Sequence, residues 1–79
     1  MSKAMILADA HDAVGRATIE CNAAAGRLLA EVAAYRQNDA EWILAADIDR
    51  VMELTMDLTD ARAKLAKAKV ELDALRRRQ

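Results

Sequence analysis

Apolar positions along the chain keep one spacing in two stretches. In the first, Leu7, Val14, Cys21, Leu28 and Tyr35 recur every seven residues, with Ala10, Ala17 and Ala24 between them. In the second, Leu44, Val51, Leu58, Leu65 and Leu72 do the same, interleaved with Leu54, Ala61, Ala68 and Leu75. Steps of three and four place such residues on one side of an α-helix, so each stretch reads as a helix with an apolar seam. The break between them is "YRQNDAEW", residues 35–42. There Asn38 and Glu41 have the spacing of a capping box, and Asp39 adds negative charge to a first turn. Ser2 is placed to cap the first helix in the same way. The expected elements are a first helix over about 3–36, a turn at about 37–38 and a second helix over about 39–77. So short a connection makes the helices antiparallel neighbours. The fold class is all-α: one helical-hairpin domain over 1–79, with alanine-rich coiled-coil packing.

Five of these seventeen seam positions are alanine, and the pairing of the two stretches accounts for them. Folded so that paired positions sum to about 75, Leu7 meets Ala68, Ala10 meets Leu65, Val14 meets Ala61 and Ala17 meets Leu58. Cys21 then meets Leu54, and Ala24 meets Val51. Large faces small at almost every level, as close packing requires. Tyr35 and Trp42 are expected to pack together and close the turn end.

The first helix has a second apolar side. Gly15, Ile19, Asn22, Ala23, Gly26, Leu29, Ala30 and Ala33 lie away from the seam. A helix apolar on more than one side is normally buried on more than one side. Glycine inside a helix costs about 1 kcal/mol relative to alanine, so Gly15 and Gly26 suit close approach of another backbone. Asn22 suits a buried amide that fixes register between subunits. Length points the same way: a single core in 79 residues rarely supplies more than about 3–5 kcal/mol. One cysteine makes no internal disulfide. A homo-oligomer, a dimeric four-helix bundle or larger, is therefore expected through this face. The second helix adds a flank of Ile48, Met52 and Met56, and these, with Tyr35 and Trp42, are the candidate contacts for a different protein. Methionine suits adaptable surfaces of that kind.

Composition and charge narrow the function classes. Alanine makes up about a quarter of the chain and proline and phenylalanine are absent, a helical profile. No apolar run is long enough to span a bilayer, and the start "MSKAMILADAHD" lacks a signal-peptide pattern, so a cytoplasmic protein is expected. The net charge of −1 conceals an acidic stretch at 39–60 and a basic one at 61–79. Acids early and bases late in a helix complement its dipole. Arg76, Arg77 and Arg78 are also a candidate anion site, and Arg16, Arg27 or Arg36 could hold a small anionic nucleotide between subunits.

No catalytic or metal-ligand grouping is visible. His11 is the one histidine, Cys21 falls inside the hairpin, and the acids sit four residues from bases, as in Asp12 with Arg16, Asp60 with Lys64 and Asp73 with Arg77. No cofactor or enzymatic activity is expected. The two-helix plan is shared by plasmid-copy regulators, secretion chaperones, toxin–antitoxin partners and phage inhibitors, an analogy of fold alone. The expected function is a small interaction protein that regulates or inhibits a partner protein by surface binding, of the kind phages and mobile elements encode. The alternatives are a nucleic-acid or nucleotide binder using the basic end or the inter-subunit arginines, and a structural assembly subunit.

Overall fold

The computed structural model describes residues 2–37 and 45–78. They form two helices, α1 (Lys3–Gln37) and α2 (Ala45–Arg77), packed side by side as a hairpin. Ser2 starts α1 as expected: its hydroxyl accepts from the Met5 amide at 3.2 Å and its carbonyl from the Ile6 amide at 3.2 Å. Asp47 lies in the first turn of α2, and Arg76 and Arg77 in the last, so both ends of α2 complement the dipole. The expected turn at 37–38, the Asn38–Glu41 box, Trp42, Leu44 and the start of the second helix at 39 fall wholly or partly outside the described residues.

The seam is the one read from the sequence. Ala17, Ala24, Leu54, Ala61 and Leu72 are buried, and Leu7, Ala10, Val14, Cys21, Leu28, Tyr35, Val51, Leu58, Leu65, Ala68 and Leu75 are half-buried along the same line. Leu54, only 2% exposed, is the most enclosed large side chain.

The pairing along that seam differs from expectation. The Tyr35 hydroxyl reaches the Asp47 carbonyl at 3.3 Å, and at the other end Ile6 and Leu7 share a cavity of about 290 Å³ with Leu75 and Arg78. Both place paired positions at a sum near 82, not 75. Ala17 is then level with Leu65, Cys21 with Ala61 and Ala24 with Leu58. The shift is one heptad, and the reason is physical. A seven-residue pattern slid by seven falls back on itself, so seam meets seam in either register, although large now faces large where Leu7 meets Leu75 and Leu28 meets Leu54. The contacts at the two ends of the hairpin decide between them, Tyr35 with Asp47 at one and Leu7 with Leu75 at the other.

The result is a rod, 58 Å long and 17 Å across, with a radius of gyration of 17.8 Å. A compact domain of this length would have one of about 12 Å. Two helices side by side have no third layer, so each keeps most of its circumference in solvent.

Candidate interaction surfaces

Neither helix is strongly one-sided, because each carries apolar residues opposite its seam as well as along it. On the outer edge of α1, Gly15, Ile19, Asn22, Ala23, Gly26, Leu29, Ala30 and Ala33 are all exposed, with Ile19 at 69% and Leu29 at 68%. A β-carbon added at Gly15 or Gly26 would meet nothing within 4 Å. Nothing inside the hairpin therefore requires glycine there. The outer edge of α2 exposes Ile48, Met52 and, at 66%, Met56.

That second stripe is longer than the sequence reading allowed. Val70 is 68% exposed, and Thr59, Ala63 and Ala66 continue the same three-and-four spacing between Met56 and Val70. The signal was the spacing itself, hidden by small residues that do not register as an apolar run.

Tyr35 is turned into the hairpin. Its hydroxyl donates to the Glu31 carboxylate at 2.7 Å, with the Asp47 carbonyl as a weaker second acceptor. The hydrogen bond to Glu31 pushes the phenol pKa up from 10.0 to about 12, helped by desolvation and by the charges of Glu31 and Asp47, against which Arg50 acts. Tyr35 thus serves the hairpin's own turn end before any partner. Trp42, its expected neighbour, lies outside the described residues.

One groove between the helices is polar. A cavity of about 430 Å³ is lined by Glu20, Ala23, Ala24 and Arg27 of α1 and Asp57, Asp60, Ala61 and Lys64 of α2. Three carboxylates face two cations, a balance that disfavours an anion at Arg27. The side chain of Arg36 is outside what is described. Arg76, Arg77 and Arg78 are exposed at the open end, and Asp73 pairs at 4.0 Å with Arg76 instead of Arg77. A second surface pair joins Arg50 and Glu53 at 3.4 Å. Such exposed pairs contribute about 0–1 kcal/mol.

Cys21 is free and half-buried, not enclosed as expected; it lies on the flank of the seam, level with Ala61 and away from Leu54. His11 is exposed. Among the described residues no group of histidine, cysteine and acidic side chains could hold a metal ion, and no helix is long and apolar enough to cross a membrane. No family model, curated protein or solved structure matches the chain.

Proposed function

We propose that this chain is a small, non-enzymatic interaction protein: a self-associating helical hairpin that regulates or inhibits another protein by covering part of its surface. One observation carries the reading. The accessible surface is 6294 Å² for 8.7 kDa, where a folded monomer of that mass exposes about 4,700 Å². The surplus, about 1,600 Å² on one chain, is roughly twice the 800 Å² that each partner buries in a standard protein–protein interface. Large apolar side chains are exposed on both outer edges, Ile19 and Leu29 on α1 and Met52, Met56 and Val70 on α2, so covering one edge leaves the other available. The outer edge of α1, with its small residues, serves self-association. The edge of α2 at Ile48, Met52 and Met56 serves the partner.

The test is affinity capture of partners by the tagged protein, alongside a variant carrying Ile48→Glu, Met52→Glu and Met56→Glu. On the proposed reading the variant stays helical, loses the captured protein, and the wild-type complex survives a rise from about 50 to 200 mM salt. Contacts to six or more phosphates would instead lose about 10³-fold over that range. Capture that is salt-labile and abolished by Arg76→Gln, Arg77→Gln and Arg78→Gln would replace the proposal with nucleic-acid binding.

A further inference from the structure

The hairpin has two long grooves, and they differ in chemistry. Residues seven apart form straight rows beside a helical seam, about 10 Å from one to the next. Along the polar groove runs the row Asp57, Lys64, Glu71 and Arg78, which alternates in sign and neutralises itself. On the other side of the α2 seam runs Ile48, Thr55, Arg62, Lys69 and Arg76, which passes from apolar to neutral to basic without alternation. Facing it from α1 is the row Thr18, Ala25 and Val32. At the turn end Val32 is 40% exposed and Ile48 48%, at nearly the same level of the rod. Thr18 and Thr55 give their hydroxyls to their own helices, to the Val14 and Val51 carbonyls at 2.8 and 2.7 Å, so neither demands solvent. Arg62 and Lys69 form no ion pair with any described residue, whereas Arg76 has Asp73.

We infer that this second groove is the seat for a third helix, supplied by the partner: an amphipathic segment, apolar where it meets Val32 and Ile48, and acidic two to three heptads further along, where it meets Arg62 and Lys69. The inference rests on the interaction reading above and gives the partner its chemistry. Two antiparallel helices leave a furrow that a third fills with ridges set into grooves. The charge gradient sets its direction. A second copy seated through this same row would set like charges against each other. Cys21 lies beneath the row, one turn from both Thr18 and Ala25, and as the chain's single cysteine it reports whether the groove is covered.

The probe is a synthetic four-heptad amphipathic peptide with leucine along one face and glutamates in its last two heptads; a control carries lysine for each glutamate. Binding is read by anisotropy of the labelled peptide, and coverage by the rate of Cys21 alkylation. The glutamate peptide should bind and slow alkylation at least tenfold, and the lysine peptide should do neither. In the Arg62→Glu, Lys69→Glu protein, with helicity unchanged, the preference should reverse. No binding, binding indifferent to the reversal, or Cys21 already protected in a self-assembled protein without peptide would each overturn the inference, as would duplex DNA taking the peptide's place. Failure here while capture still depends on Ile48, Met52 and Met56 leaves the interaction reading standing without this groove.

Discussion

At the scale of single residues, the register makes the sharpest demand. Ala17 is buried and level with Leu65, so Ala17→Leu should overpack the seam and destabilise by about 1–3 kcal/mol. Adding Leu65→Ala should recover part of that loss in a denaturant titration, and adding Leu58→Ala should not. Rescue by Leu58→Ala alone would restore the sum of 75. Tyr35 gives an independent readout of the turn end. Its folded-state pKa of about 12 lies above the ordinary 10.0, so the neutral phenol is the form the fold favours. The stabilisation is whole below pH 10 and is lost as pH rises toward 12. Because the chain holds one tyrosine, absorbance titration follows it directly. The midpoint should fall toward 10 in denaturant and on Glu31→Gln. A native midpoint already at 10 would mean the Tyr35–Glu31 contact is absent in solution. The seam positions were legible because burial repeats every three and four residues. Their pairing was not, because a heptad pattern is unchanged by a shift of one heptad.

At the scale of the helices, the two glycines of α1 separate stability from association. With open space where their β-carbons would be, Gly15→Ala and Gly26→Ala should each stabilise the isolated helix by about 1 kcal/mol. The same methyl groups would hold apart two copies of α1 that approach closely. Calorimetry should show a higher midpoint at dilute concentration, and sedimentation a weaker association. Stabilisation together with unchanged association would show that the glycines have no role in the interface. Helix α2 shows the limit of reading by apolar runs. Its Ile48, Met52 and Met56 flank was legible from bulk alone, whereas its continuation to Val70 passes through Thr59, Ala63 and Ala66. Small residues mark an edge as uncharged without marking it as buried, and only the geometry shows that the stripe is continuous. The unbroken basic row at Arg62, Lys69 and Arg76 was hidden for a different reason. In sequence it is mixed with Asp73 and Glu71, and only the helical turn sorts those acids away or into a local pair.

At the scale of the molecule, the rod has more surface than a chain of its mass keeps as a folded monomer. Its two helices bury one seam between them and leave apolar edges facing outward in opposite directions. The hairpin itself was legible, since two periodic stretches around one break admit little else. What covers the outer edges was not, because exposed alanine, glycine and methionine identify a contact without identifying its other half. The central claim is that these edges are interfaces, the one on α1 for a second copy. Sedimentation equilibrium at micromolar concentration tests it most directly, on the wild type and on Ala23→Glu, which sets a charge in the outer edge of α1. The wild type should sediment at no less than twice 8.7 kDa, and the variant at 8.7 kDa or as unfolded chain, since a buried unpaired charge costs several kcal/mol. A fully helical wild-type monomer at that concentration would contradict the claim, and the edge of α1 would then belong to a foreign protein.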